Sequence, residues 1–254
     1  MKHTLINFVA ASACCSVAAF AQQNVQPLSG SFVLAEEGSG VSQPIASIAI
    51  LNFNSGGTVS GFQILRGPGT STKTTAQGTY SLNSDGTGTL ALTTMTMPAA
   101  GSDFVQGSAN YNLRWSKSSG IAAIRSDTGY FTIGTLSPAA DPAAIKGGFI
   151  FAERGNASPY AALGQLSFDG TNAITGSERV AAVGLNVAYN LTGNYAIGSD
   201  GFGSFTLNIP SSTDADGNVT FSAANYVFAA SMGQIFAIRT DGNSAGVSTL
   251  TTMQ

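Results

Sequence analysis

Two segments of the chain carry the carboxylates that come nearest to a catalytic arrangement. Glu36 and Glu37 are adjacent, and the second half of the chain has Glu153 followed by Arg154 at the corresponding place. A glycosidase needs two carboxyl groups that flank one bond. Neighbouring residues of a strand point to opposite faces, so Glu36 and Glu37 cannot converge on a bond. We therefore predict that Glu36 and Glu153 are structural and accept hydrogen bonds from a turn, and a carboxylate-based hydrolase is the least favoured function.

An arginine and an aspartate recur two residues apart, as Arg125 with Asp127 and as Arg239 with Asp241. Residues i and i+2 of a strand share a face, and a turn follows in both places. Each pair is therefore predicted to form an ion pair and an Asx-type turn. The alternative is that Arg125 and Arg239 lie at a barrel mouth and bind an anionic ligand through charge-assisted hydrogen bonds.

Five aromatic side chains are candidates to line a ligand cavity. They are Tyr80, Tyr111, Trp115, Tyr195 and Tyr226. Tyr80 is repeated as Tyr195, and Tyr111 as Tyr226. Around a cavity, such side chains bind an apolar or sugar ligand. In a small closed barrel they fill the core instead, and the sequence leaves both interpretations open.

One acidic segment, Asp214-Ala215-Asp216-Gly217-Asn218, resembles a fragment of a calcium loop. It has alternating oxygen ligands and a glycine, but it lacks the distal bidentate glutamate. The first half of the chain has no equivalent acids. A polar hairpin turn is the preferred interpretation, with Asp214 and Asp216 kept as the calcium candidate, and we predict no cofactor.

Histidine and cysteine occur only near the start of the chain, as His3, Cys14 and Cys15. Residues 1–21 are typical of a secretory signal, with Lys2, an apolar stretch and cleavage after Ala21. Without that segment the chain has no Ser-His-Asp or Cys-His catalysis and few options for zinc. We therefore predict that the protein is not an enzyme. In an alternative interpretation, Cys14 belongs to a degenerate lipobox and carries lipid.

The composition indicates where the protein acts and which partners it excludes. The chain has 10 basic and 13 acidic residues, so loss of Lys2 with the signal leaves a net charge of about −4. Charged residues make up 9% of the chain, against about 25% in ordinary domains. No Lys/Arg cluster is present, so nucleic acid is not a predicted partner. No later segment is long and apolar enough for a transmembrane helix. We predict an exported protein that is periplasmic, on the cell surface or secreted.

These residues are positioned by a sequence that occurs twice. Gly30-Ser31-Phe32-Val33-Leu34-Ala35-Glu36 returns as Gly147-Gly148-Phe149-Ile150-Phe151-Ala152-Glu153, an offset of 117 residues. Later motifs recur at offsets of 115 and 114 residues. The duplication predicts two domains, at 28–137 and 145–254, each of ordinary domain size. A loose N-terminus at 22–27 precedes them, and a proline-containing linker at 138–144 joins them.

Each half alternates apolar and polar residues with the period of a strand, as in Phe205, Leu207 and Ile209. Turn signals such as Asp85-Gly86 separate the runs. In the first half they predict eight strands, at 30–37, 44–54, 58–66, 73–83, 88–95, 104–116, 121–127 and 130–136. Eight sequential strands must close or stack to remove their edges. We predict an all-β protein of two tandem antiparallel up-and-down β-barrels, each of lipocalin or avidin size. Two β-sandwiches are the alternative.

The repeated pattern resembles a family of exported bacterial tandem β-repeat proteins with no assigned activity. The pattern is Gly-x-Tyr-x-(apolar)-x-Ser-Asp-Gly-x-Gly, at Gly78–Gly88 and Gly193–Gly203. An apolar-x-Phe element and a glycine lie upstream, at Phe53 with Gly61 and at Phe168 with Gly176. The resemblance covers both halves and implies a repeated β-architecture. It implies no catalytic residues.

The preferred function is a non-catalytic envelope or extracellular protein in surface, matrix or adhesive interaction. The alternative is a binding module whose barrels hold a small apolar or glycan ligand. A partner from the envelope suits the first hypothesis, and a filled interior would argue against the second. The duplication predicts either two independent barrels, which would bind with avidity, or two halves that pack through a shared apolar face.

Overall fold

A computed structural model describes residues 27–39, 44–67, 70–96, 105–116, 120–142, 145–155, 160–182, 185–213, 219–241 and 246–253. The predicted signal, the candidate lipidation residue Cys14 and the calcium candidates Asp214 and Asp216 lie outside the described residues. The described chain consists of strands and turns. Within it we find no helix with the length and apolar character that crossing a membrane requires.

The chain forms two closed eight-stranded antiparallel barrels in tandem, as predicted. The strands of barrel 1 are β1 (Gly30–Ser39), β2 (Pro44–Asn54), β3 (Thr58–Gly67), β4 (Thr70–Leu82), β5 (Thr87–Thr96), β6 (Val105–Ser116), β7 (Gly120–Arg125) and β8 (Phe131–Pro138). The strands of barrel 2 are β9 (Gly147–Gly155), β10 (Tyr160–Phe168), β11 (Ala173–Ala182), β12 (Leu185–Ile197), β13 (Phe202–Thr213), β14 (Val219–Ser231), β15 (Gln234–Arg239) and β16 (Val247–Thr252). The eight predicted strands of the first half match β1–β8 to within a few residues.

Each barrel closes because its first strand pairs with its last. β1 pairs with β8 from Phe32 opposite Pro138 to Ser39 opposite Phe131. β9 pairs with β16 in the same way. All other pairs join consecutive strands, which is the up-and-down order. Closure leaves no free strand edge, so the two domains are barrels and not sandwiches.

The two ends of each barrel differ. At the turn end, short hairpins such as β2–β3 and β4–β5 join the strands. There Gly86 has a φ of 82°, which a tight turn needs and which other residues rarely adopt. At the loop end lie the connections β1–β2, β3–β4, β5–β6 and β7–β8 and their counterparts in barrel 2. Both termini of the described chain lie at the turn end, near Leu28 and Met253.

Side chains fill the interior of both barrels. In barrel 2, the Phe205 and Tyr226 rings stack with centroids 4.4 Å apart, and Phe151 meets Tyr226 edge-on at 6.1 Å. In barrel 1, Phe53 meets Tyr80 edge-on at 5.0 Å. Burial of each such side chain contributes about 1.5–3 kcal/mol. The interiors are therefore packed cores in the described part of the chain.

A third apolar cluster joins the two barrels through their outer surfaces. Barrel 1 contributes Val33, Ala35, Ala46, Ile48 and Ile64. Barrel 2 contributes Phe202, Ala229, Phe236 and Ile238. All nine are buried, although they point away from their own barrel's interior. The barrels thus share an apolar face, which is the second of the two predicted consequences of duplication.

Polar contacts surround this shared face. Glu37 accepts a hydrogen bond from the Val247 amide at 3.1 Å and forms an ion pair with Arg154. Lys73 pairs with Asp200 in the same way. The predicted linker also packs on both barrels, since the Ala139 amide donates to barrel 1 at 2.9 Å and the Ala140 amide to barrel 2 at 2.9 Å. Its predicted first residue, Pro138, is the last residue of β8.

Substitution of Gly78 by alanine should destabilise barrel 1 by about 1–3 kcal/mol. Gly78 on β4 lies so close to β5 that an added Cβ would overlap the carbonyl oxygen of Ala91. The urea midpoint measures the loss. As a control, Gly56→Ala places its Cβ 3.2 Å from the flexible end of Asn54 and should cost less than about 0.5 kcal/mol. Equal losses in the two variants would contradict the close approach.

Candidate functional site

The loop end of barrel 1 contains a buried polar cluster around Glu36. This carboxylate, inside the barrel on β1, accepts hydrogen bonds from three hydroxyls. The donors are Ser47 at 2.7 Å, Tyr111 at 2.9 Å and Thr132 at 2.7 Å. They lie on β2, β6 and β8, so Glu36 ties together strands from across the barrel. A structural role fits the prediction, but the donors come from strand side chains and not from a turn.

Gln63 on β3 extends this cluster. Its amide donates to the Ser47 hydroxyl at 3.0 Å, and both residues are buried. Burial first, and then the charge of Glu36, raises the pKa of Tyr111 well above its usual value. Tyr111 therefore stays protonated and remains a hydrogen-bond donor to Glu36 across the ordinary pH range.

Arg125 lies at the rim of the same cluster. Its Nε donates to Asp127 Oδ2 at 2.8 Å, which is the predicted ion pair, and its Nη2 donates to the Ser108 carbonyl at 2.9 Å. The guanidinium also lies over the Tyr130 ring, 3.7 Å from its centroid. Burial opposes ionisation of Asp127, but hydrogen bonds from Arg125 and Asn110 outweigh it and lower the pKa of Asp127. Asp127 thus binds β6 through Asn110 and holds Arg125.

Barrel 2 repeats the cluster with changed chemistry. Glu153 accepts a hydrogen bond from Tyr226 at 2.7 Å and another from Tyr160. The position of Ser47 is taken by Ala162, which pairs with Glu153 as Ser47 pairs with Glu36. Arg239 keeps its ion pair with Asp241 at 3.0 Å. The two clusters therefore share the carboxylate, the tyrosine and the arginine.

The largest change is a second buried carboxylate, Glu178, where barrel 1 has Gln63. The register places both on the third strand, since Gln63 pairs with Ala49 and Glu178 with Gly164. Burial first, and then the charge of Glu153, raises the pKa of Glu178 to about 7. Burial also raises the pKa of Glu153, against hydrogen bonds from Tyr160 and Tyr226. We did not predict Glu178, although alignment of the two halves at 115 residues reveals it.

Ser248 on β16 adds an unusual group to barrel 2. It is buried, and its Oγ has no hydrogen-bond partner among the described residues. The corresponding residue in barrel 1 is Gly134, which pairs with Glu36. An unpartnered buried hydroxyl costs about 1–3 kcal/mol. Among the described residues, the buried polar groups at the loop end of barrel 2 are thus less completely hydrogen-bonded than those of barrel 1.

The raised pKa of Glu178 predicts how stability depends on pH. The folded state keeps this proton until about pH 7, whereas the unfolded state loses it near about pH 4.3. This contribution to stability is therefore fully present below about pH 4 and is lost as the pH rises through 7. Glu178→Gln should flatten the profile and stabilise the protein at pH 8 by about 1 kcal/mol.

Barrel 1 offers the matched control for this prediction. Gln63→Glu places a carboxyl group at the same position and should introduce a similar loss of stability between about pH 4 and pH 7. Urea unfolding at several pH values measures both effects. A wild-type profile that is flat or that rises over this interval would contradict the proton assigned to Glu178.

The remaining aromatic candidates lie at the opposite end of the barrels. The Tyr80 hydroxyl shares its one proton between two carbonyl acceptors, that of Leu28 at 2.6 Å and that of Asn54 at 3.0 Å. Tyr195 donates to the Ile145 carbonyl at 3.5 Å. Trp115 lies near the turn end on β6, where its amide donates to the Gly86 carbonyl at 2.7 Å. The structure therefore separates Tyr80, Trp115 and Tyr195 from Tyr111 and Tyr226, and it brings only the latter two to the polar clusters.

Two comparisons with known proteins found no match for this chain. No protein-family model matches it. A search of curated proteins found no matching sequence.

The hydrogen bonds of the two clusters join strands that are distant in sequence. Across the described residues, no group of three or more His, Cys, Asp or Glu side chains is placed to hold a metal ion. Glu153 and Glu178 are both nearly covered by protein, and hydrogen bonds from two tyrosines engage Glu153. Buried carboxylates of this kind stabilise a barrel when they are fully bonded.

Proposed function

We propose that the protein is an exported, non-catalytic protein of the cell envelope or extracellular space that acts through surface, matrix or adhesive contacts. The observation that carries this proposal is the shared apolar face, which fixes two barrels into one body while each interior is occupied by its own side chains. Interaction is then left to the outer surface and the loop ends. The low content of charged residues, 9% of the chain, supports the same conclusion.

Cell fractionation with intact-mass measurement tests this function. We expect the native protein in the envelope or the medium, as a chain that begins at Gln22. Proteinase added to intact cells should remove the envelope-bound fraction, and cross-linking should couple it to envelope components. A full-length chain confined to the cytosol would overturn the proposal. A chain that begins at Cys14 with lipid attached would support the lipoprotein alternative of the same envelope function.

A second candidate function is a small-ligand site at the loop end of barrel 2. The unpartnered Ser248 hydroxyl favours it, since a hydroxylated ligand such as a glycan would satisfy this group. Native mass spectrometry of protein recovered from its own cells tests it. An additional mass that is lost on denaturation, and that is absent from a Ser248→Gly, Glu178→Gln variant, supports the binding module. A bare chain supports the non-catalytic surface function alone.

A further inference from the structure

The two surfaces that join the barrels come from different parts of the duplicated unit. Barrel 1 uses the outer residues of its first three strands, which we call the head face. Barrel 2 uses outer residues of its fifth to eighth strands, which we call the tail face. The head face of barrel 1 comprises Val33, Ala35, Ala46, Ile48 and Ile64, and the tail face of barrel 2 comprises Phe202, Ala229, Phe236, Ile238 and Val247. The contact is therefore heterologous, between unlike surfaces of like units.

A heterologous contact between two repeats leaves one surface of each kind unused. Barrel 2 has its own head face on β9–β11, and barrel 1 has its own tail face on β5–β8. The strand registers give the equivalent positions, because Glu36 opposite Ser47 corresponds to Glu153 opposite Ala162. Likewise, Ile124 opposite Ile133 corresponds to Ile238 opposite Val247. Each chain thus carries one open head face and one open tail face.

The open faces keep large aliphatic residues at several equivalent positions, although Arg179 replaces Ile64 on the head face. On the tail face, Thr87 and Arg114 replace Phe202 and Ala229. On the head face of barrel 2, Ile150 stands for Val33 and Leu163 for Ile48, with 45% and 61% exposure. On the tail face of barrel 1, Ile124 and Ile133 are 54% and 61% exposed. Two small residues are kept beside them, since Ala152 and Ala161 correspond to Ala35 and Ala46, whereas Ala122 replaces the larger Phe236. Large aliphatic residues that are half exposed on adjacent strands mark a surface that another protein covers.

Charge complementarity is also kept, in a rearranged form. Within the chain, Lys73 on the head side pairs with Asp200 on the tail side. Lys73 lies opposite Ile64 in the β3–β4 pair. In barrel 2 this pair is Ala188 opposite Arg179, so the cation has moved across to the neighbouring strand.

The matching acid is present on the open tail face. Asp200 corresponds to Asp85 in the repeated Ser-Asp-Gly motif of barrel 1. An open head face that carries Arg179 would therefore meet an open tail face that carries Asp85, which also lies near Arg114 of its own barrel. Opposite charges at corresponding places favour this register over others.

We infer that the open head face of one copy binds the open tail face of a second copy, in the arrangement that already joins the two barrels within the chain. Repetition of a heterologous contact gives a closed ring or an open chain of barrels. The partner is a second copy of this protein. The inference does not depend on the proposed location or on any other binding partner.

Sedimentation velocity and light scattering over roughly 1–300 µM, the range of weak to moderate interfaces, test this contact. We expect the mass of the wild type to rise with concentration beyond two copies. Leu163→Asp closes the head face of barrel 2, and Ile133→Asp closes the tail face of barrel 1. Each variant alone should remain monomeric, because a buried unpaired charge weakens association by at least about tenfold.

The mixture of these two variants is the decisive sample. Leu163→Asp retains its tail face and Ile133→Asp retains its head face, so the mixture should form a 1:1 dimer and grow no further. Met232→Asp, an exposed turn residue outside both faces, should associate like the wild type. A monomeric wild type at the highest concentration, a mixture that stays monomeric, or a single variant that still associates would each overturn the inference. Ile150→Asp and Ile124→Asp provide a second pair of variants if either of the first pair fails to fold.

Discussion

Ile48→Asp is expected to break the single unfolding transition of the protein into two. Ile48 is fully buried between the barrels, and a carboxylate there has no partner in the apolar cluster. The free-energy cost of burying an unpaired charge and losing the isoleucine side chain exceeds about 4 kcal/mol. The barrels should avoid that cost by separating, since Ile48 points away from the interior of barrel 1. The shared face then no longer couples them.

Two spectroscopic probes can detect the separation. Trp115 is the only tryptophan of the chain, so its fluorescence follows barrel 1 alone, while far-ultraviolet circular dichroism follows both barrels. In the wild type the two urea transitions should coincide, as cooperative unfolding requires. In Ile48→Asp they should diverge. Coincident transitions in the variant would contradict a shared face that couples the barrels.

The duplication supplies a matched control for this experiment. Leu163 occupies the same position in barrel 2 but is 61% exposed. Leu163→Asp should therefore change the free energy of unfolding by less than about 0.5 kcal/mol and leave the two probes coincident. The comparison is made at low protein concentration, below the onset of association. If Leu163→Asp lost as much stability as Ile48→Asp, the aspartate would be destabilising the strand itself and not the shared face.

Glu36→Ala is expected to cost about 3–5 kcal/mol, since removal of this carboxylate leaves three buried hydroxyls without their acceptor. The donors come from β2, β6 and β8 and include Tyr111 at 2.9 Å. Water cannot easily replace the carboxylate between packed strands. The barrel would then lose a polar connection between strands that are distant in sequence. The urea midpoint and the tryptophan signal of barrel 1 measure this loss.

Two milder variants should lose less stability than Glu36→Ala. Tyr111→Phe removes one of the three donors and should cost about 1 kcal/mol. Glu36→Gln keeps one acceptor oxygen but introduces donors among hydroxyls, and it should fall between the other two. A Glu36→Ala variant that is no less stable than Tyr111→Phe would mean that the cluster does not hold the strands together.

The strands could be predicted because a period of two and repeated turn motifs are local signals. Closure followed from the number of strands, since eight sequential strands must remove their edges. The polar cluster could be predicted only in part. The sequence predicts a structural role for Glu36 and Glu153, but their hydrogen-bond partners are distant in sequence, as Thr132 illustrates. Glu178 was missed because one Gln-to-Glu difference becomes visible only when the repeats are aligned strand by strand.

The sequence does contain a signal for the shared face, but the alternation of apolar and polar residues in other strands makes it hard to recognise. Phe32–Ala35 and Ile235–Ile238 are continuous apolar runs, and such runs are typical of strands that are covered on both sides. Phe149–Ala152 is an equally continuous run, yet within one chain only its inner side is covered. Which runs meet depends on how the barrels are placed, and no local signal reports that placement.

The contact between β1–β3 and β13–β16 also fixes the order of events during synthesis. Barrel 1 has all its strands once Pro138 has emerged, but its partner surface is complete only near the end of the chain. Until then the nascent chain carries an uncovered apolar surface. Another copy that already presents a tail face can occupy that surface first. The last step of folding thus competes with binding between molecules, and dilution and rapid completion of the chain both favour the intact monomer.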